Sequence, residues 1–114
     1  MKTMVSSLVT VLVSSFSLSA FAGCDNPTMV EVPDGSTVSM DMLLEAQAGI
    51  KTYMAEMEVY LACLNEDIDA AGEDAADEFK SLMVTRHNSA VSEMETIAAL
   101  FNEQVQAYRA ANPE

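Results

Sequence analysis

The sequence predicts an all-α fold, an antiparallel two-helix hairpin with an extended N-terminal strap held by a disulfide. Two stretches carry apolar residues at helical spacing, and Gly72 lies between them. A segment with two prolines, residues 23–38, precedes the first stretch. Cys24 in this segment and Cys63 in the first stretch could form a disulfide between them. About 90 residues follow the N-terminal apolar run, which is enough for one small domain.

Residues 1–22 have the pattern of a secretory signal peptide. Lys2 gives a positive start, an apolar run follows, and Ala20-Phe21-Ala22 places small residues where a signal peptidase reads them. The run is too short and too rich in serine to span a membrane, which takes about 20 mainly apolar residues. We therefore expect a mature chain that begins near Gly23 and resides in the periplasm or outside the cell.

The two cysteines allow two interpretations. An even count in an exported chain favours a Cys24–Cys63 disulfide. The alternative is an inner-membrane lipoprotein, because residues 21–24 resemble a bacterial lipobox in which Cys24 would be acylated and Asp25 would act as the retention residue. Phe21 stands where the lipobox usually has leucine, and acylation would leave Cys63 as a free thiol.

The charge balance limits the classes of partner. The chain carries −13, and loss of Lys2 with the signal peptide leaves −14. Phosphate binding needs clustered cations, so we expect no nucleic-acid partner. Charges interrupt every later apolar stretch, so we expect no transmembrane segment in the mature chain. The few basic residues that remain are Lys51, Lys80, Arg86 and Arg109.

The strap is predicted to be extended and to end in a turn at Val32-Pro33-Asp34-Gly35, with Gly35 at a positive φ. A disulfide would return it along the first helix, because the helix rises roughly 35 Å from Met40 to Cys63 and the strap spans about 50 Å. In the chain-entropy description such a loop is worth roughly 3–4 kcal/mol. The strap residues expected to face the helices are Met29, Val30 and Val32.

Residues 39–114 are predicted to form the helical hairpin domain. The first helix begins near Ser39, a good N-cap, and runs to about Asp69 before Gly72. The second begins around Asp74–Asp77 and ends near Ala110. Antiparallel pairing about Gly72 sets Met57 near His87, Leu61 near Met83 and Ile50 near Met94.

Two helices alone leave each apolar stripe half exposed, so a further element must cover the open side. The strap can do so, and dimerisation into a four-helix bundle is the other solution.

The acidic connector resembles a degenerate EF-hand calcium loop. Asp67, Asp69 and Glu78 match carboxylate positions and Gly72 matches the sharp turn, whereas Ala71 removes one oxygen ligand. The simpler interpretation is a solvated helix junction in which acidic residues cap the second helix.

A second candidate metal site is built from sulfur. Thioethers and one imidazole suit Cu(I), although methionine more often fills an irregular core. The residues expected to converge near the middle of the hairpin are Met54, Met57, Met83 and His87.

A polar ridge recurs every seven residues along the second helix. It is expected to hold the strap or, as the alternative, to recognise an external partner. The ridge consists of Asn88, Glu95, Asn102 and Arg109.

Five short motifs occur in a recognisable order along the mature chain. They are Cys24 with Pro27, Val32-Pro33-Asp34-Gly35, Tyr60-Leu61-Ala62-Cys63-Leu64, Arg86-His87-Asn88 and Phe101-Asn102-Glu103-Gln104. Together these motifs resemble small exported two-cysteine helical proteins of Gram-negative bacteria with no assigned activity. That family brings no function to transfer.

The residues favour binding over catalysis. A single histidine, no glycine-rich phosphate loop and no nucleophile elbow argue against an enzyme, so we assign no catalytic residue and expect no cofactor. We expect the protein to act by binding another protein or by forming a homodimer. The alternative function is cation or soft-metal (Ca or Cu) binding in the cell envelope.

Overall fold

The computed structural model describes residues 23–113, and the predicted signal peptide lies outside this range. Two helices, α1 (Met40–Ala71) and α2 (Asp77–Ala111), are joined by residues 72–76 and pack against one another. An extended strap, residues 23–38, precedes α1, and Cys24 forms a disulfide with Cys63. Within residues 23–113 there is no strand. The predicted fold class, a disulfide-strapped two-helix hairpin, is confirmed.

The ends of α1 follow from two residues with opposite roles. The Ser39 hydroxyl accepts a hydrogen bond from the Met42 amide at 3.3 Å, so one of the free N–H groups of the first turn is satisfied. At the other end Gly72 has φ +75° and ψ 179°. Side-chain-bearing residues rarely adopt this backbone conformation, so glycine permits the chain to leave the helix here.

The start of α2 is stabilised by residues before and after its N-cap position, and not by the N-cap residue itself. Ala76 occupies the N-cap position and offers no side-chain acceptor. Asp77 and Glu78 lie in the first turn, where the helix dipole favours negative charge. The Lys80 ammonium group donates to the carbonyl oxygen of Glu73 at 2.6 Å and ties the connector back to the helix.

The core is a single row of apolar side chains between the helices. Met57 and Leu64 are fully buried at 0% exposure, and no polar or charged side chain within residues 23–113 is fully buried. The buried residues share helical spacing on each helix, and all of them except Leu43 form one contiguous cluster. They are Leu43, Ile50, Tyr53, Met57, Tyr60, Leu64, Met83, Ala90 and Ile97.

The strap returns along the helices as an extended segment. Val30 and Val32 pack against the core, whereas Met29 is 61% exposed and only borders a surface groove with Ile97 and Leu100 of α2. Successive side chains of an extended chain point to opposite sides. Placing Val30 and Val32 inward therefore places Met29 outward.

The turn at the end of the strap is built around Asp34. Its carboxylate accepts from the Ser36 amide at 3.0 Å and from the Ser36 hydroxyl at 2.6 Å, and its carbonyl accepts from the Thr37 amide at 3.1 Å. The prediction that Gly35 has a positive φ is wrong. Among the described glycines, only Gly72 has a positive φ. Gly35 is instead required by space, since a Cβ there would overlap the backbone carbonyl of Gln104.

Candidate functional site

The strap covers only one side of the hairpin. A Cβ at Gly49 would lie 3.8 Å from Cγ2 of Val30, which places the strap along that flank of α1. Tyr53 and Tyr60, on the same flank as Gly49, are 3% and 6% exposed. On α2 the Gly35 amide donates to Oε1 of Gln104 at 2.8 Å. These contacts define the strap side.

The opposite side of the same helices is left uncovered, and we call it the open face. Met54 and Leu61 directly follow Tyr53 and Tyr60 in the sequence, and both are only half-buried. Each residue turns the helix by about 100°, which carries these side chains away from the strap. The open face consists of half-buried side chains from both helices: Met54, Leu61, Ile68, Val91, Met94, Phe101, Val105 and Tyr108.

At the end of the hairpin distant from the connector, the open face deepens into a groove of about 580 Å³. It lies between the first turns of α1 and the last turns of α2. Two of its apolar side chains, Met40 and Leu44, are 49% and 53% exposed, so the groove presents apolar surface to solvent. Leu43, Phe101, Val105 and Tyr108 complete its apolar lining.

Charge is distributed unevenly around the open face. Helical spacing places Lys51, Glu58 and Asp69 beside the α1 stripe, and Lys80 and Arg109 beside the α2 stripe. Every basic side chain of residues 23–113 except Arg86 therefore borders this face. Most carboxylates lie elsewhere, so the face is close to neutral in a chain of strong negative charge.

The polar ridge is exposed along its length. The strap's hydrogen bond to α2 goes to Gln104, and no hydrogen bond from the strap to the ridge occurs within residues 23–113. Arg109 instead borders the terminal groove of the open face. Recognition of an external partner by Asn88, Glu95, Asn102 and Arg109 stays a prediction.

Sequence reasoning did not assign a contact to Gln104, although a signal for it was present. Met83, Ala90 and Ile97 are core residues spaced by seven, and Gln104 is the next position of that row. A polar residue on an apolar row indicates a specific partner, because a buried amide needs a hydrogen bond. The partner is the amide of Gly35.

The loop conformation predicted for the calcium site is wrong, whereas calcium binding by Asp67, Asp69 and Glu78 stays a prediction. α1 continues to Ala71, so Asp67 and Asp69 lie in a helix and not in a loop. Residues two apart on a helix point in different directions, and Glu78 lies in α2 beyond the connector. Glu66, Ala70 and Ala71 are good helix formers, and they continue the helix across the stretch where a calcium loop would need irregular backbone.

The predicted sulfur cluster divides between two environments. Met57 and Met83 are 0% and 2% exposed and belong to the apolar core. Met54 and His87 are half-buried, and Met54 contributes to the open face. These positions agree with methionine as a core-filling side chain. Copper binding by the four stays a prediction.

A different cluster lies at the disulfide. Among residues 23–113, the three donors Cys24, Cys63 and Asp67 are the only such group of histidine, cysteine or acidic side chains within 4.8 Å of one another. A carboxylate oxygen of Asp67 lies 3.3 Å from Sγ of Cys24. The two sulfurs are bonded to each other, so neither is the thiolate that a metal ion requires.

One side-chain hydrogen bond joins the two helices on the strap side. The Tyr53 hydroxyl donates to Oε1 of Glu93 at 2.5 Å. Burial of the ring raises the pKa of Tyr53 above its ordinary value, and the hydrogen bond to the carboxylate raises it further. The phenol therefore keeps its proton and acts as a donor that fixes the register of α1 against α2.

Comparison with known proteins identifies no relative from which a function could be inferred. No family model matches the chain, and neither a curated protein nor a solved structure matches it. The resemblance to small exported two-cysteine proteins therefore stays a prediction. Neither helix within residues 23–113 is apolar enough over a sufficient length to span a bilayer.

Proposed function

We propose that this protein is an exported, non-enzymatic binding protein that uses the open face to contact another protein or a second copy of itself. The observation that carries the proposal is the asymmetry of the hairpin. Tyr53 and Tyr60 are buried beneath the strap, whereas the equivalent side chains on the other flank are half-buried and contiguous. Contiguous apolar surface rimmed by polar residues is typical of protein interaction sites.

The proposed export to the periplasm is supported by the disulfide. Disulfides persist in oxidising compartments, and the Cys24 sulfur is already bonded to Cys63. Intact mass of the mature protein tests this part of the proposal. A loss of two hydrogens from a chain that begins near Gly23 supports it, and a gain of several hundred daltons would contradict it in favour of an acylated Cys24.

Site-specific photo-cross-linking tests the binding proposal. A photoreactive amino acid replaces Val105 or Val91 on the open face, and the matched control replaces Val59, which is 70% exposed on the outer surface of α1. The exported protein is irradiated in intact cells. We expect defined adducts at the two open-face positions and none at the control. Absence of adducts at both positions, or equal adducts at all three, would contradict a binding role for this face.

Cation binding, the alternative from the sequence, is tested in the same material. A ligand that binds the folded state raises the melting temperature by mass action. An upward shift with excess Ca²⁺ or Cu(I), abolished by a chelator, would establish a metal function. The binding proposal predicts an unchanged melting temperature with either ion.

A further inference from the structure

We infer that the occupant of the open face is a second copy of this chain, so that two strapped hairpins form an antiparallel four-helix bundle. This inference rests on the proposed function and names its partner. Each hairpin would bury the stripe that its own strap does not reach. The straps would lie on the two outer sides of the bundle.

The size of the open face fits a stable dimer. Residues 40–68 of α1 rise about 42 Å, and two packed helices are about 18 Å wide, which gives a face of about 750 Å². Stable protein interfaces bury about 800 Å² per partner. A short peptide helix would cover only part of this length, whereas a second hairpin matches it.

The shape of the surface also fits a hairpin. Two-helix units with apolar stripes pair as four-helix bundles, because each pair of helices offers ridges to the grooves of the other. The terminal groove is lined by side chains from both helices, including Leu44 and Val105. A two-fold axis would place the same surfaces opposite one another.

The charge distribution favours a second copy over a basic partner. Lys51 and Arg109 border the open face together with Glu58 and Asp69, so both signs are available for pairing across it. A basic partner would be attracted to the strongly acidic surfaces away from this face. Two copies of charge −14 repel each other. Salt screens this repulsion over a distance of about 8 Å at physiological ionic strength, so the repulsion weakens the dimer mainly at low salt.

Sedimentation velocity of the disulfide-bonded protein tests the inference. Mature protein is examined from about 1 to about 200 µM, in about 20 mM and about 500 mM NaCl. We expect a monomer–dimer equilibrium whose Kd falls as salt rises. A protein that stays monomeric at the highest concentration in both salts would overturn the inference.

Matched variants locate the interface. Val105→Glu and Val91→Glu each place a carboxylate on the open face, and Val59→Glu adds the same charge to the outer surface. We expect the first two to raise the dimer Kd at least tenfold and the third to change it less than threefold. Helicity measured by circular dichroism checks the fold, and Ala98→Glu, at an exposed position on the same face, replaces any variant that loses helicity. A dimer that survives every open-face substitution would overturn the inference.

The inference and the proposed function fail separately. A monomer that still forms open-face cross-links to a different protein removes the homodimer and leaves the binding function in place. A monomer without open-face cross-links removes both.

Discussion

Two hydrogen bonds between side chains and distant segments fix how the parts of this molecule meet. Apolar burial drives packing but is not directional, so it does not by itself select one register. The Tyr53–Glu93 bond joins the two helices, and the Gly35–Gln104 bond joins the strap to α2. Each bond is half-buried, so loss of one partner leaves a group with poor access to water.

Replacement of Tyr53 by phenylalanine measures the first bond. We expect Tyr53→Phe to lower the free energy of unfolding by about 2 kcal/mol at neutral pH, because a hydrogen bond to a charged acceptor is lost. Urea denaturation provides the measurement. Tyr108→Phe is the control, because the Tyr108 hydroxyl has no hydrogen-bond partner among residues 23–113, and a loss of the same size in both variants would contradict the role of Glu93.

The raised pKa of Tyr53 also sets the pH dependence of stability. In the unfolded chain the phenol ionises near pH 10, whereas in the folded protein it keeps its proton. Its contribution is therefore fully present below about pH 10 and is lost as the pH rises further. The stability difference between wild type and Tyr53→Phe should narrow above about pH 10. A stability difference that stays constant above pH 10 would contradict a raised pKa for Tyr53 in the folded protein.

Replacement of Gly35 by alanine tests the closest approach of strap and helix. The added methyl would lie 2.7 Å from the carbonyl carbon of Gln104, so either the strap or α2 has to move. We expect a loss of about 2 kcal/mol, typical of overpacking. Gly49→Ala is the matched control: its methyl meets only Val30 at 3.8 Å and should stabilise the helix by about 1 kcal/mol. Equal effects of both substitutions would contradict the packing account.

At the scale of the helices, the start of α2 lacks a side-chain cap. Ala76 occupies the N-cap without a side-chain acceptor, whereas Ser39 caps α1. We expect Ala76→Ser to raise the free energy of unfolding by about 1 kcal/mol, and Ser39→Ala to lower it by about as much. Thermal or urea unfolding measures both. No gain from the serine would indicate that the connector already satisfies the first amides of α2.

The helices themselves could be predicted because local signals agree. Apolar residues at helical spacing, a serine N-cap and Gly72 are each readable from the sequence, and they specify the same two elements. The loop conformation predicted around Asp67 and Asp69 was wrong, because the neighbouring Glu66, Ala70 and Ala71 favour continued helix.

Contacts between elements were less predictable, because they depend on which side of the hairpin the strap takes. Successive side chains of an extended chain point to opposite sides. Met29 could therefore be placed outside the core only once Val30 and Val32 were known to face inward. Gly35 was read as a conformational glycine, because its steric role appears only when α2 is beside it.

At the scale of the whole molecule, the disulfide determines whether the strap remains on the hairpin. It links residues 39 positions apart, and loss of such a link costs about 4 kcal/mol in the chain-entropy description. We expect the Cys24→Ala/Cys63→Ala variant to lose that amount in urea denaturation and to expose residues 23–38 to protease.

Reduction of the wild-type protein provides the control for this variant. Reduced wild type and the double variant should unfold at the same urea midpoint, below that of oxidised wild type. Equal midpoints for all three samples would contradict a stabilising role of the disulfide.

The central claim is that the strap covers one side of the hairpin and leaves the other for a partner. Methionine oxidation by peroxide, mapped by mass spectrometry, tests it in one measurement, because exposed thioethers oxidise faster than buried ones. Met29 should react quickly and Met57 and Met83 slowly at every concentration. Met54 and Met94, which are half-buried, should react at an intermediate rate in dilute protein and become protected when the open face is occupied at about 200 µM. Protection of Met54 and Met94 already in the dilute monomer, or no change on assembly, would contradict the claim.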